Sequence, residues 1–316
     1  MGNTKVIAVV GATGAQGGGL VRAIAADPDG GFSARAITRN AGSDAARKLA
    51  DLGAEVVEAD VDDADSLERA FAGAHGAYCV TFFWEHFSPD REGAQVENMA
   101  AAAARAGIRH AVWSTLEDTR RWVPLSDDRM PTLMERYKVP HFDAKGESNR
   151  RFAEHDVPTT YLLTSFYWDN LIHFGMGPKP GPDGELLFTL PMGDKKLPGI
   201  AAEDIGRCAY GIFKRGPELV GSTVGIAGEQ LTGAEMAASL SAALGRGVRY
   251  NAVSPEAYRG FGFPGAEDLG NMFQFKADFE DMFCAARDPS VARGLHPKLE
   301  TFSDWLGANI GRIPTE

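Results

Sequence analysis

Cysteine is scarce in this sequence: there are three in 316 residues, and Cys79, Cys208 and Cys284 stand far apart. No CxxC spacing occurs, so neither a zinc pattern nor a disulfide framework is indicated, and no metal site is expected. An odd, sparse count fits a reducing compartment. Cys79 lies in an apolar run and reads as a small core residue. Long hydrophobic runs are missing as well, for none approaches the roughly 20 residues that span a bilayer. The opening MGNTKVIAVVGATG has no small-residue cleavage site, and Val6 stands where a myristoylation signal wants Ser or Thr. A cytoplasmic protein with no membrane segment is the expectation. Excess positive charge is absent too: the formal net charge is −11. That argues against direct nucleic-acid binding, which needs clustered Lys and Arg. Internal repeats are absent, and the alanine run that begins at Ala100 is the one biased tract.

What is present is an ordinary globular composition, 44% hydrophobic and 24% charged. Apolar runs alternate with helical patterns at short intervals. Strands are expected at residues 6–12, 34–38, 55–60, 76–82, 109–115 and 158–164. Helices are expected at 16–28, 43–53, 63–73, from about Pro89 to Ala106, and from His141 to about His155. This rhythm predicts an α/β fold, a doubly wound parallel sheet with helices on both faces. Between Leu116 and Pro140 lies a polar, proline-punctuated loop, long enough to be functional or mobile. From about Phe166 the texture changes. Residues 179–199 read as a hairpin, 201–215 as an amphipathic helix, and 232–246 as a helix with a Thr232/Glu235 capping box and Gly245 near its end. The expected division is a nucleotide-binding domain over 1–165. A smaller α+β C-terminal lobe over 166–316 follows, with some segments returning to the sheet.

The strongest chemical signal is GATGAQG, residues 11–17, which follows a strand and opens a helix. Gly11 permits the tight turn, Gly14 lets backbone approach a pyrophosphate, and Gly17 allows close helix–strand packing. Thr13, Ala15 and Gln16 complete the loop, and the helix N-terminus offers free N–H groups to phosphates. No GK[ST] follows, which excludes a P-loop. An NAD site would place a carboxylate at the end of the second strand. Here that strand ends Thr38-Arg39-Asn40. A guanidinium binds a 2′-phosphate through paired charge-assisted hydrogen bonds, so Arg39 points to NADP(H). Arg35 is a weaker candidate nearer the other end. Asp60 and Val61 end the third strand, where Asp60 either meets the adenine amino group or holds a turn. Asp62 and Asp63 read as helix caps. Thr81, Phe82 and Phe83 end the fourth strand and either line the cofactor's path or belong to the core.

Together, GATGAQGG, ITRN, HFDAKGE and GFPGAEDLGNMFQF resemble the NmrA-like family. This is an atypical branch of the short-chain dehydrogenase/reductase superfamily, and its NADP(H) redox-sensor members are the nearest in pattern. The resemblance spans nearly the whole chain. It implies a Rossmann-type domain, a small C-terminal lobe and NADP(H) binding. Some such proteins are sensors acting through a protein partner; others, similar to isoflavone and quinone reductases, are enzymes. Active superfamily members use Ser, Tyr and Lys, with the last two spaced Tyr-x-x-x-Lys. The resemblance maps the serine onto Ser114, beside Thr115, and the lysine onto Lys145. His141 stands where the tyrosine is expected. Imidazole differs from phenol in shape, reach and pKa, so the tyrosine mechanism does not carry over. A helix cap or surface imidazole is the plain alternative for His141, and a solvated cation for Lys145. Tyr137 lies outside the spacing. The resemblance also puts Phe166, Tyr167 and Asn170 beside the nicotinamide, Tyr167 against the cofactor and the other two, with Phe83, around a substrate pocket; Trp168 reads as core.

Two functions follow as expectations. The first is an NADP(H)-binding, redox-sensing regulator with an incomplete catalytic set, in which NADP(H) orders loop 116–140 or the C-terminal lobe for a protein partner. The alternative is an NADPH-dependent reductase of a small carbonyl, imine or quinone-like substrate. A homodimer is left open.

Overall fold

Strands and helices alternate from Lys5 to Leu163 in the computed structural model, which describes residues 4–316. The order is β1 (Lys5–Val9), α1 (Ala15–Ala25), β2 (Phe32–Thr38), α2 (Asp44–Asp51), β3 (Glu55–Glu58) and α3 (Ala64–Phe71). Then come β4 (Gly76–Cys79), α4 (Pro89–Arg105), β5 (His110–Thr115), α5 (Pro140–Glu154) and β6 (Thr159–Leu163). Strand Thr223–Gly225 joins β6 at one edge of a seven-stranded sheet, which continues β5, β4, β1, β2, β3. Neighbours among β1–β6 pair in parallel. The order reverses between β1 and β4, the switch point where open α/β sheets bind ligands at strand carboxyl ends. β4 and β5 are buried at every residue, as expected of parallel strands covered on both faces. Phe71, Val96, Met99 and Phe152 from the helices close over Ala8, Cys79 and Trp113 in one core. Burial pushes the Cys79 thiol up to about 12, so it packs as a hydrophobe.

By contact density the chain forms two units that interleave along the sequence. Among the described residues the first holds 4–118, 141–163 and 203–224; the second holds 119–140, 164–202 and 225–316. Segment 203–224 thus belongs with the sheet, and segment 119–140 with the second unit. Helix Ala202–Arg215 lies in the sheet unit because glycines let it cross α1 backbone against backbone. A Cβ on Gly206 would stand 2.1 Å from the Leu20 nitrogen, and one on Gly19 would stand 2.7 Å from the Glu203 carbonyl. Arg22 pairs with Glu203 beside the crossing. Gly206→Ala should therefore cost about 1–3 kcal/mol through overpacking. Gly307→Ala meets nothing within 4 Å, and in helix Phe302–Asn309 it should stabilise by about 0.5–1 kcal/mol. Urea unfolding of the two variants checks both signs.

The second unit contains two three-stranded sheets. Lys196–Ile200 pairs with Glu229–Thr232 antiparallel and with Phe166–Tyr167 in parallel. Leu186–Leu190 pairs with Lys179–Pro180 antiparallel and with Val248–Ala252 in parallel. The hairpin expected over 179–199 is therefore confined to its first half, and the second half crosses to the other sheet, where Leu197 and Ile200 are buried. Trp168 is core, against Phe302 and Trp305. The Thr232/Glu235 capping box forms, and Gly245 ends helix Gly233–Leu244 at a left-handed φ of 62°.

Segment 119–140, within the loop read as functional or mobile, is held by side chains from its own unit. Lys138 is 1% exposed, and its Nζ donates to the Asp127 and Met130 carbonyls at 2.7 and 2.8 Å. Asn271 donates to the carbonyls of Pro131 and Lys138, and Gln274 to that of Arg129. Arg259 donates to the side-chain oxygens of Asn271 and Gln274, which orients both amides. The motif GNMFQF thus supplies the anchor of this loop.

Candidate functional site

The glycine loop is exposed from Thr13 to Ala15, while Gly17 is buried beneath it. Gly11 has φ +64°, and a Cβ on Gly17 would stand 2.5 Å from the Gly11 carbonyl oxygen. Whether this loop fits a phosphate can be judged from how its helix begins. Ser43, Asp63 and Ser88 cap α2, α3 and α4 with side-chain oxygens. Gly14 at the start of α1 makes no side-chain cap, and the first turn holds no acid. The positive dipole end of α1 thus carries neither a capping side chain nor an acid, a setting that suits an anion such as a dinucleotide pyrophosphate.

Arg39 stands at the exposed end of β2, with its guanidinium bonded to Glu85 on the short turn Phe83–Glu85 that follows β4. The hydrogen bond and charge of Glu85 hold the Arg39 pKa above its ordinary value. Arg35 is engaged elsewhere, pairing with Glu55 and donating to the Ala70 and Ala72 carbonyls. Asp60 holds a turn, its carboxylate accepting from the Asp62 amide at 3.0 Å. Val61, half-buried, accepts from Asn98 through its carbonyl. Asp63 caps α3 as expected; Asp62 instead pairs with Arg91, which with Gln95 holds its carboxyl below the usual range.

At the carboxyl end of β4 and β5 the sequence candidates meet. Ser114 donates to the Gln16 Oε1 at 2.8 Å, and Tyr78 donates to the same oxygen. Lys145 is 9% exposed, which rules out the solvated-cation alternative. Its Nζ donates to Thr81 Oγ1 and pairs with Glu92 Oε1 at 2.7 Å, while Thr81 Oγ1 donates to that same carboxylate oxygen. Thr115 Oγ1 donates to Asn149 Oδ1 at 2.7 Å, fixing α5 on β5. Gly146 lets the helix approach, since a Cβ there would stand 2.3 Å from the Asp118 nitrogen.

Sequence reasoning missed Glu92, which is 0% exposed. Its other oxygen faces His86 Nε2 at 3.6 Å. His86 Nδ1 accepts from the Ser88 amide, so the proton of a neutral ring sits on Nε2, which makes no hydrogen bond to the carboxylate. A signal was available: Glu92 shares a helical stripe with Val96, Met99 and Ala103, all 0% exposed, where a carboxylate is out of place without a partner.

His141 is 6% exposed, so it is not a surface imidazole. Its ring lies 4.7 Å from Trp84, 4.8 Å from Phe142 and 6.0 Å from Phe83. Phe83 is buried, and Phe82 beside it is 54% exposed. The remaining candidates lie in the second unit. Phe166 is buried against Phe273, Tyr167 is half-buried with its hydroxyl 3.4 Å from Thr164 Oγ1, and Asn170 opens a short helix. Tyr137 is buried there too, flanked by Arg120 and Arg136.

With this geometry in view, comparison with known proteins gives one family. Residues 3–306 match the NmrA-like family, and the chain belongs to it. It is 34% identical over 292 residues to the NmrA-like family domain-containing oxidoreductase FrzB of Cladobotryum sp., covering 86% of this chain and 84% of that protein. The NAD(P)H azoreductase of Xenophilus azovorans is 31% identical over 268 residues, 82% of each chain. The structure of NmrA, a negative transcriptional regulator solved in complex with NADP and with NAD, superposes with a TM-score of 0.77 at 25% identity, covering 96% of this chain and 95% of NmrA.

Proposed function

We propose that this NmrA-like chain is an NADP(H)-dependent oxidoreductase that reduces a small conjugated acceptor of the quinone, imine, carbonyl or azo class. One observation carries the reading: Ser114 is hydrogen-bonded to Gln16, so the reactive edge of β5 and the dinucleotide loop form one connected site. The α1 amides receive the pyrophosphate, and Arg39 receives the 2′-phosphate. Asp60 and Val61 border the adenine, and Thr81, Phe82 and Lys145 lie along the nicotinamide's side. The bound dinucleotide supplies hydride and needs mainly orientation from the protein. His141 is enclosed by aromatics, Lys145 is tied to Glu92, and no tyrosine stands at the Tyr-x-x-x-Lys position to donate the proton. Acceptors that delocalise the charge of the incoming hydride and take a proton from water suit such a site better than simple ketones do. The azoreductase and FrzB relatives support the oxidoreductase class. NADPH consumption followed by absorbance should show turnover with quinones or azo dyes and little with isolated ketones. Consumption with none of them sinks the reading.

A redox-sensing regulator with a protein partner is the second reading, favoured by histidine at the tyrosine position and by the likeness to NmrA. It requires NADPH to alter the protease cleavage pattern of the full chain, in segment 116–140 or in the C-terminal lobe.

A further inference from the structure

Arg39 carries the cofactor choice in the reading above, yet its guanidinium is already bonded to a carboxylate. We propose that Glu85 is a specificity-determining residue, competing with the 2′-phosphate of NADP(H) for Arg39 and narrowing the preference over NAD(H). The inference rests on the proposed dinucleotide site.

Three observations support it. Glu85 is presented by a fixed turn: its amide donates to the Phe82 carbonyl at 3.1 Å, and the adjacent Phe83 is 3% exposed. The pair is accessible, with the Arg39 and Glu85 side chains 60% and 42% exposed, so an incoming phosphate can reach the guanidinium. The surroundings are acidic, since Asp60 and Asp62 also act on Arg39 by charge. A 2′-phosphate must break the Arg39–Glu85 bond and then lie beside a like-charged carboxylate. The 2′-hydroxyl of NAD(H) has no charge to repel and leaves the pair intact. Removing the Glu85 charge should therefore help NADP(H) alone. An exposed pair plus screened repulsion is worth a factor of about 5–20 in affinity.

The test is calorimetric titration of the full chain and its Glu85→Gln variant with NADP+ and NAD+, at low and high salt. The expected result is NADP+ binding tightened about tenfold in the variant, NAD+ unchanged within about twofold, and a gain that shrinks as salt rises. Glu85→Ala must act in the same direction; if only the glutamine variant gains, a new amide contact is responsible and the inference falls. Wild-type protein that binds NADP+ and variants that bind it no tighter overturn the inference while leaving the dinucleotide site intact. Wild-type protein that binds neither dinucleotide overturns both.

Discussion

Glu92→Leu should lower the unfolding free energy by about 3–5 kcal/mol, the penalty for stripping one partner from a buried ion pair. The carboxylate is 0% exposed; one oxygen serves Lys145 and Thr81, and the other faces His86 at 3.6 Å without a hydrogen bond. Leucine fills the volume but accepts nothing, and the Lys145 ammonium keeps the oxygens of Thr81 and the Trp113 ring but no counter-charge there. Domains of ordinary stability hold about 5–15 kcal/mol in total, so the variant should sit near the edge of folding at room temperature. Lys145→Met alone strands the carboxylate and should cost a similar amount. The two changes together remove both charges, and apolar replacement of a whole buried pair is often neutral. The double variant should therefore be more stable than either single one. Urea unfolding of the four proteins forms a double-mutant cycle. Additive losses, or a Glu92→Leu loss under about 1 kcal/mol, would show that the pair is not coupled in this way.

That cycle turns on a residue the sequence made hard to see, and the reason is physical. Local signals were readable where the cause is local. Glycines at 11, 14 and 17 announce a turn that must pass close to a helix, and Thr232 with Glu235 announces a helix start. The parallel sheet was readable because short apolar runs alternate with helical patterns, although burial is complete only in β4 and β5. Contacts between distant segments leave no such trace. Asn271 holds the carbonyl of Lys138 across 133 positions, so nothing local in a polar, proline-punctuated stretch read as functional or mobile announces that some of its carbonyls are bonded by another helix. Segments returning to the sheet were expected but not identified, and helix Ala202–Arg215 was not singled out, because amphipathicity says that a face is buried, not against what. Arg39 was found from its place at the end of β2. Its partner Glu85, 46 residues later, follows β4, and only the order β4–β1–β2 brings those ends together.

A separate pair of substitutions should divide cofactor binding into its two sources. Arg39→Met removes the one guanidinium at the end of β2 and leaves the glycine loop untouched. Charge-assisted hydrogen bonds contribute about 1.5–3 kcal/mol, so NADP+ affinity should fall roughly 10- to 150-fold. NAD+, which has no 2′-phosphate, should change little, and it should gain if Glu85 freed from Arg39 accepts its 2′-hydroxyl. Gly17→Val behaves differently. Its side chain would press on Gly11 and Ala12 backbone, where even a Cβ would stand 2.5 Å from the Gly11 oxygen. The turn must open, and the α1 amides then no longer converge on a pyrophosphate. Both dinucleotides should lose affinity by at least about 100-fold, the scale set by several charge-assisted bonds lost together. A thermal melt of each variant separates lost binding from lost folding. If Arg39→Met weakened NAD+ as much as NADP+, the guanidinium would be contacting the phosphates or base that the two cofactors share. The electrostatic basis for preferring NADP(H) would then fail, even with the glycine loop working as described.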